Sequence, residues 1–281
     1  MQVRDLLACG ARALSGNERD APSARDEAAL LLAHKLNVSR AWLVAHDDDE
    51  VDETRCAAFD DLVARRVRGE PVAYLTGTRG FHALELRITP DVLIPRPETE
   101  LLVELALQRI SIDAEIRVAD LGTGSGAVAL AIARERPNAR VLATDASQAA
   151  LNVARDNAQR LGLRNVEFAR SDWCAALSDA RDFDLIVSNP PYIAEDDPHL
   201  AQGDLRFEPR AALASGADGL DAIRTIIRDA PRHLRKGGWL LFEHGYDQGE
   251  VVCALLSANG YAQVFTERDL EGRERASGGR A

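Results

Sequence analysis

Long hydrophobic runs are missing from this sequence of 281 residues. No uncharged stretch reaches the ~18 residues that a membrane span requires. The chain starts Met-Gln-Val-Arg-Asp-Leu-Leu, which already carries an acidic residue and lacks the apolar segment of a signal peptide. Both absences argue against a membrane or secreted protein, and they predict a cytoplasmic location.

Cysteine is sparse, and its spacing matches no metal-binding pattern. The four cysteines are Cys9, Cys56, Cys174 and Cys253, with no CxxC pair among them. Scattered cysteines of this kind predict reduced thiols and argue against a zinc site, so we expect no metal. Nothing near Cys174 marks a nucleophile, and we interpret it as a buried core residue.

Lysine is almost absent, because Lys35 and Lys236 are the only two, and the formal net charge is -11. Residues 1–80 carry 11 Arg or Lys side chains against 14 Asp or Glu. Proteins that grip DNA or structured RNA usually present a basic surface, because neutralising phosphates supplies much of the affinity. We therefore expect no direct nucleic-acid binding.

The hydrophobic pattern divides the chain into three parts. Residues 1–70 show apolar positions at three- and four-residue spacing, which predicts a bundle of four or five helices. Residues 71–95 shift toward a two-residue period between Tyr74 and Thr89, which predicts a β-hairpin linker. Residues 96–281 alternate helix and strand, which is typical of an α/β fold with a doubly wound parallel sheet.

The elements of this third part can be bounded from the sequence. The predicted strands are Ile116–Leu121, Arg140–Asp145, Asn165–Ala169, Phe183–Ser188, Trp239–Glu243 and Tyr261–Thr266. The predicted helices are Leu101–Ile110, Ser147–Leu161, Leu220–Leu234 and Gln248–Ala258. The tail from Arg275 to Arg280 is rich in glycine and is poor strand material, so whether it forms a last strand stays open.

The most informative motif is Asn189-Pro190-Pro191-Tyr192, which directly follows the apolar strand Phe183–Ser188. The proline pair ends the strand and leaves a stiff turn at its carboxyl end, where open α/β sheets bind ligands. The Asn189 Oδ1 atom and the Pro190 carbonyl are acceptors that can hold the N–H groups of a planar nitrogen, and the ring of Tyr192 can lie against its flat face. This arrangement suits methylation of an amide or aromatic amine.

A glycine-rich loop, Asp120-Leu121-Gly122-Thr123-Gly124-Ser125-Gly126, follows the first strand and leads into a helix. Its glycines allow the backbone to approach a ligand closely at a helix N-terminus. Asp145 ends the next strand, where a carboxylate can accept hydrogen bonds from ribose hydroxyls. Trp173 follows the third strand, as an adenine contact or as part of the core. The loop alone also fits a nicotinamide dehydrogenase, but hydride transfer has no need of the Asn-Pro-Pro-Tyr turn, so we expect S-adenosylmethionine as the cofactor.

Several segments together resemble one family. They are Pro71–Gly77, Ile94-Pro95-Arg96-Pro97-Glu98-Thr99-Glu100, the glycine loop, Ser188–Ile193, Phe207-Glu208-Pro209-Arg210 and Glu243-His244-Gly245. In these the chain resembles the HemK/PrmC protein-glutamine N5-methyltransferases nearly end to end. The segment Ile94–Glu100 is either a capped linker into a helix or part of the site, and both interpretations can hold.

The resemblance implies a Rossmann-like methyltransferase domain over residues 96–281. Residues 1–70 lie outside this domain and their charge balance disfavours nucleic acid, so we expect them to dock a protein substrate. The resemblance implies a reaction with bacterial peptide-chain release factors, on the glutamine of their Gly-Gly-Gln motif. It also implies cofactor contacts from Gly122, Thr123, Gly124, Ser125, Gly126, Asp145, Trp173 and Asn189. The substrate glutamine would be held by Asn189, Pro190, Pro191 and Tyr192, with Asn189, Pro190 and Tyr192 taking part in catalysis.

Four other functions remain open at the level of sequence. A sister enzyme that methylates a glutamine of a ribosomal protein shares the same turn. An adenine-N6 DNA methyltransferase also uses such a turn, but it would need a basic recognition region. The third and fourth alternatives are a nicotinamide dehydrogenase and a non-catalytic protein that only binds the cofactor.

Overall fold

The computed structural model describes residues 1–16, 21–113, 115–177 and 182–281, and the chain divides into two compact units, Met1–Thr78 and Arg79–Ala281. The first unit is helical. Its helices are α1 (Val3–Leu14), α2 (Ala21–Leu36), α3 (Arg40–Ala45), α4 (Glu53–Val67) and α5 (Val72–Thr76). Side chains of Ser39 and Asp52 cap the N-termini of α3 and α4 by accepting backbone N–H groups, as expected for these residue types.

The core of the helical unit is built around Phe59, which is fully buried. Gly10 lies so close to this ring that a Cβ atom there would be 2.7 Å from Phe59 Cζ, so only glycine allows this approach of α1 to α4. One charged pair is also enclosed: the buried guanidinium of Arg66 donates to both carboxylate oxygens of Glu27, at 2.9 and 2.7 Å. A bidentate pair of this kind satisfies the two charges together.

The second unit contains a two-stranded hairpin and a seven-stranded sheet. The hairpin strands are β1 (Thr78–Phe81) and β2 (Leu84–Arg87). The sheet strands are β3 (Arg117–Leu121), β4 (Arg140–Asp145), β5 (Val166–Arg170), β6 (Phe183–Ser188), β7 (Leu234–Glu243), β8 (Ala262–Arg268) and β9 (Glu274–Arg280). Their order is β5-β4-β3-β6-β7-β9-β8, with β9 antiparallel to both neighbours and the other pairs parallel.

Both faces of the central strands are covered. Successive residues of β3 from Val118 to Leu121 are buried, and so are those of β6 from Leu185 to Ser188. Successive side chains of a strand point to opposite faces, so continuous burial means that both faces are packed. The helices of this unit are α6 (Glu100–Arg109), α7 (Ala127–Glu135), α8 (Gln148–Leu161), α9 (Asp221–Asp229) and α10 (Gly249–Ala258). The doubly wound α/β architecture predicted from the alternation is confirmed.

The glycine-rich tail forms β9, which lies inside the sheet between β7 and β8. Two of its positions favour glycine because neighbouring residues leave no space for a Cβ atom. A Cβ atom at Gly278 would be 2.5 Å from Leu241 Cδ2, and one at Gly279 would be 2.8 Å from Tyr261 Cβ. The low strand propensity of this tail is therefore overridden by packing between two strands.

Three element boundaries predicted from the sequence were wrong by more than two residues. The helix predicted over Leu220–Leu234 ends at Asp229, because a 3-10 turn containing Pro231 follows. Strand β7, predicted to begin at Trp239, begins at Leu234. The hairpin does not begin near Tyr74, which lies in helix α5, and it spans only Thr78–Arg87. Gly77 separates helix from hairpin with φ +72°, a conformation that favours glycine.

The four cysteines are free thiols. Burial raises the pKa of the Cys174 thiol to about 12, so it stays protonated at neutral pH and is a poor nucleophile. Within the described ranges, no group of His, Cys, Asp and Glu side chains is placed to hold a metal ion. No helix in the part of the chain that the structure describes is long and apolar enough to cross a bilayer.

Candidate active site

The glycine loop connects the end of β3 to α7 through three left-handed glycines. Gly122, Gly124 and Gly126 have φ of +73°, +55° and +87°. L-residues with a side chain rarely adopt this conformation, so each position is strained by substitution. The loop is anchored to β4 by the Thr123 N–H, which donates to the Thr144 carbonyl at 2.8 Å.

Asp145 fixes the other side of this loop. Its Oδ2 atom accepts the Gly124 N–H at 2.9 Å, and its Oδ1 atom accepts the Ser147 N–H at 2.8 Å. A carboxylate oxygen can accept two hydrogen bonds, so each oxygen retains one acceptor site after these contacts. The half-buried carboxylate can thus organise the loop and still receive two hydroxyl groups of a ligand.

Trp173 stands in an unusual backbone conformation, with φ +45°. The buried Ser171 hydroxyl holds it there, donating to the Trp173 carbonyl at 2.7 Å and accepting the Ala176 N–H at 2.9 Å. The ring lies over the glycine loop, because a Cβ atom on Gly122 would be 3.4 Å from Trp173 Cζ3. A tryptophan whose backbone is held in the left-handed region by surrounding hydrogen bonds is often found at functional sites.

A cavity of about 310 Å³ brings six of the predicted site residues together, namely Gly122, Gly124, Asp145, Trp173, Asn189 and Pro191. Thr123 and Ser125 line a smaller adjoining cavity of about 50 Å³, which Asn189 also lines. Gly126 caps the N-terminus of α7 instead. The carboxylate, the ring and the glycine backbone are the groups that a ribose, an adenine and an amino-acid chain require, so these residues fit S-adenosylmethionine.

The Asn-Pro-Pro-Tyr turn follows the buried end of β6. The Asn189 Nδ2 atom donates to Thr99 Oγ1 at 3.1 Å, and the Tyr192 hydroxyl donates to Glu243 Oε1 at 3.1 Å. No described residue donates a hydrogen bond to Asn189 Oδ1 or to the Pro190 carbonyl. These two acceptors are therefore available to a ligand.

A second small cavity, of about 60 Å³, lies at this turn. All four residues of the turn line it, and Asn189 and Pro191 also line the larger cavity. Gly219 lies against the backbone of the turn, because a Cβ atom there would be 2.2 Å from the Tyr192 carbonyl oxygen, and the Gln248 side chain donates to the same oxygen at 3.0 Å. Asn189 thus stands where the two cavities meet.

The segment Ile94–Glu100 is both a linker into a helix and a wall of the site. Pro97 opens a 3-10 turn that leads into α6. In the same segment, the Ile94 N–H donates to Glu208 Oε2 at 2.9 Å and the Arg96 guanidinium forms an ion pair with the buried Glu208 carboxylate. Thr99 contacts Asn189, so this segment is tied directly to the turn.

Three residues that hold the site received no role from the sequence. Glu208 and Glu243 lie in segments that carried the resemblance, but only the fold shows that their carboxylates point inward. Asn157 on α8 gave no signal at all. Its amide donates to the Ser125 carbonyl at 2.9 Å and to the Arg87 carbonyl at 3.0 Å, so it joins the glycine loop to the hairpin.

Asp120 is buried at the end of β3, and its Oδ2 atom accepts hydrogen bonds from the Thr123 hydroxyl and the Ala129 N–H. Burial, with a smaller contribution from the charge of Asp145, raises the pKa of Asp120 from 3.8 to about 7. The folded state therefore binds this proton more tightly than the unfolded state does. The stabilising contribution is fully present below the unfolded pKa and is lost as the pH rises through about 7.

We expect the variant Asp120→Asn to remove this pH dependence. An amide oxygen can accept the same two hydrogen bonds as Oδ2, and an amide does not ionise. The Tm of the wild type, measured against that of the variant by thermal unfolding, should fall from about pH 5 to about pH 7 and level off above it. A difference in Tm that stays constant over this range would contradict the prediction.

The strand order distinguishes this sheet from that of a dinucleotide-binding domain. In a dinucleotide-binding sheet of order 3-2-1-4-5-6 all strands are parallel neighbours, whereas here the antiparallel β9 is inserted before the last strand. The Thermus thermophilus 16S rRNA N2 G1207 methyltransferase in complex with AdoMet and guanosine is similar in fold, with a TM-score of 0.54 at 20% identity over 72% of this chain and 49% of that chain. Residues 97–206 match the family described as the methyltransferase small domain. The fold and site thus define an S-adenosylmethionine-dependent methyltransferase.

Residues 5–77 match the family described as the PrmC N-terminal domain. A release factor glutamine methyltransferase from Xylella fastidiosa strain Temecula1 is 57% identical over 256 residues, which cover 91% of this chain and 93% of the relative. One from Burkholderia pseudomallei strain K96243 is 53% identical over 278 residues, covering 97% of this chain and 96% of the relative. The chain belongs to the release factor glutamine methyltransferase (HemK/PrmC) family of protein-(glutamine-N5) methyltransferases. This confirms the resemblance, the enzyme class and the cofactor that the sequence predicted.

Proposed function

We propose that this enzyme methylates the N5 atom of the glutamine in the Gly-Gly-Gln motif of bacterial peptide-chain release factors. The observation that carries the proposal is the pair of available acceptors, Asn189 Oδ1 and the Pro190 carbonyl, beside a small cavity that adjoins the larger one. A primary amide has two N–H groups in one plane, which is the pattern that two fixed acceptors recognise. Relatives at 57% and 53% identity are named release factor glutamine methyltransferases.

We assign the larger cavity to the cofactor. Asp145 would accept the ribose hydroxyls, Trp173 would contact the adenine, and the backbone of Gly122–Gly126 would receive the remainder of the molecule, with Thr123 and Ser125 facing the adjoining space. Asn189 lines both cavities, so it would contact both ligands. When bound, S-adenosylmethionine supplies a methyl group on a positively charged sulfur.

We assign the smaller cavity to the substrate glutamine. An amide nitrogen is a weak nucleophile, because its lone pair is delocalised into the carbonyl group. Asn189 and Pro190 would orient it and stabilise the positive charge that develops on it, because their oxygens are fixed before the reaction begins. Pro191 and Tyr192 complete the walls of the cavity, and the ring of Tyr192 would support the flat face of the amide. No general base is needed before transfer, since the spare proton becomes acidic once the methyl group is attached.

The test is mass spectrometry of a bacterial release factor incubated with the enzyme and S-adenosylmethionine. We expect one added methyl group on the glutamine of the Gly-Gly-Gln motif. A release factor in which that glutamine is replaced by glutamate is the matched control and should stay unmodified. Methyl label that appears only on ribosomal protein, or only on DNA, would contradict the proposal and favour the alternatives left open by the sequence.

Plain duplex DNA should show no electrophoretic shift with this enzyme.

A further inference from the structure

Four side chains from three separate segments form a continuous hydrogen-bond network next to the Asn-Pro-Pro-Tyr turn. The Tyr192 hydroxyl donates to Glu243 Oε1 at 3.1 Å, and the Thr99 hydroxyl donates to Glu243 Oε2 at 2.6 Å. Asn189 Nδ2 in turn donates to Thr99 Oγ1 at 3.1 Å. Tyr192 and Asn189 belong to the turn, Glu243 ends β7, and Thr99 precedes α6.

The Glu243 carboxylate and the Thr99 hydroxyl of this network are buried in the protein interior. Glu243 is 1% exposed and Thr99 is 3% exposed. An ionised carboxylate can only accept, so the single hydroxyl hydrogen of Thr99 must point to Glu243. The Thr99 oxygen is then left as an acceptor, and the amide of Asn189 must turn its NH₂ group toward it. The Oδ1 atom of Asn189 consequently points the other way.

We propose that Glu243 is a positioning residue, acting through Thr99 to fix the amide of Asn189 with its Oδ1 atom facing the substrate. This rests on the proposed function, in which that oxygen accepts a substrate N–H. A terminal amide can rotate by a half-turn with little change in shape, so something must select one of the two orientations. The ionised Glu243 carboxylate selects the orientation of the Asn189 amide, because it supplies two acceptors and no donor and so fixes the direction of the Thr99 hydroxyl.

Groups from three elements act on the carboxyl group of Glu243. Burial is the largest influence and raises its pKa above the ordinary value, and Glu98 on the 3-10 turn adds to this, whereas the hydrogen bonds from Thr99 and Tyr192 and the charge of Arg275 on β9 offset only part of the rise. A proton on Glu243 would turn one of its oxygens into a donor. Thr99 could then point its hydrogen at Asn189, which would invert the amide. A glutamine whose NH₂ group faces Thr99 would have the same effect without any change of pH.

The variant Glu243→Gln tests the proposal, since it keeps the shape and replaces one acceptor by a donor. We expect kcat for methylation of a release factor to fall by ~10- to 100-fold, the range for weakening one preorganised hydrogen bond. The KM for the release factor and the affinity for S-adenosylhomocysteine should stay within about twofold, because Gly122–Gly126, Asp145 and the helical unit are unchanged. Steady-state kinetics and calorimetry measure these quantities.

A double variant separates positioning from a general structural effect. In the background of Asn189→Ala, adding Glu243→Gln should lower kcat no further, because the amide that it orients is gone. A merely structural role would lower kcat in both backgrounds. Thr99→Val removes the hydroxyl relay and should resemble Glu243→Gln, whereas Thr99→Ser keeps the hydroxyl and should recover most of the activity.

Each outcome decides one question. A normal kcat for Glu243→Gln beside an active wild type would overturn the positioning role and leave the proposed function intact. A wild type that fails to methylate any release factor would overturn the proposed function, and the positioning role with it. If Glu243→Gln folds poorly or loses cofactor affinity, the Thr99 pair decides: a normal kcat for Thr99→Val contradicts the proposal, and a loss that Thr99→Ser restores supports it.

Discussion

Replacement of Asn189 by alanine is expected to lower kcat by on the order of a hundredfold or more, the scale for losing one preorganised hydrogen bond in a transition state. The amide oxygen of Asn189 is one of two acceptors available to the substrate nitrogen, and positive charge develops on that nitrogen during methyl transfer. An acceptor that becomes stronger as the charge develops lowers the barrier more than it strengthens substrate binding. Cofactor affinity should change much less, because Gly122–Gly126 and Asp145 are untouched. Single-turnover kinetics and calorimetry with S-adenosylhomocysteine separate the two effects.

The variant Asp145→Ala is the matched control, because it should show the reverse pattern. Asp145 holds the glycine loop through Gly124 and keeps an acceptor site free on each oxygen, so its removal should weaken cofactor binding first. At saturating cofactor, turnover should recover more completely than in Asn189→Ala. An Asn189→Ala enzyme with nearly normal turnover would show that the assigned mechanism is wrong.

The meeting of the glycine loop and Asp145 in one cavity could be predicted because its signals are local. Gly122, Gly124 and Asp145 each follow the end of a strand, and parallel strands bring such ends to one edge of the sheet. The turn at Asn189 was predictable for the same reason, since two prolines end β6 whatever surrounds them. Short-range backbone rules were sufficient to predict these positions.

The carboxylates that support the site could not be predicted, because their partners are far away in the sequence. Thr99 and Glu243 are separated by 144 positions and Ile94 and Glu208 by 114, and no periodicity links them. Whether the tail forms strand β9 stayed open for a related reason. Its glycines are favoured only because Leu241 and Tyr261 occupy the space that a side chain would need. Packing of this kind appears only when the sheet is assembled.

The helical unit leads to the second large expected effect. It carries none of the proposed cofactor residues, and its sequence has no excess of basic residues. We therefore expect it to dock the release factor, so that remote contacts supply the binding energy that positions one glutamine. Deletion of residues 1–77 should raise the KM for an intact release factor by on the order of a hundredfold, which corresponds to about 3 kcal/mol of lost binding. This deletion removes α5 as well, because Leu75 belongs to the core of the helical unit.

Cofactor affinity of the deletion variant should remain close to that of the full chain, since every residue assigned to the cofactor is retained. Thermal unfolding with and without S-adenosylhomocysteine establishes first that the remaining chain is folded. A folded variant with an unchanged KM for the release factor would show that the docking role is wrong.

A point variant tests the same role with the full chain. Val44 on α3 is 80% exposed and borders a groove of about 400 Å³ whose charged lining residues are Arg4, Arg12, Arg25 and Asp47. An exposed apolar side chain among charged ones is typical of a protein-binding surface, and Val44→Glu would place a negative charge beside the three arginines without disturbing the core. We expect KM for the release factor to rise severalfold with kcat and Tm unchanged. The matched control, Val251→Glu, alters an exposed valine on α10 and should leave KM unchanged. Equal kinetics for the two variants would exclude this groove as the docking surface, even if the deletion shows that the helical unit as a whole is required.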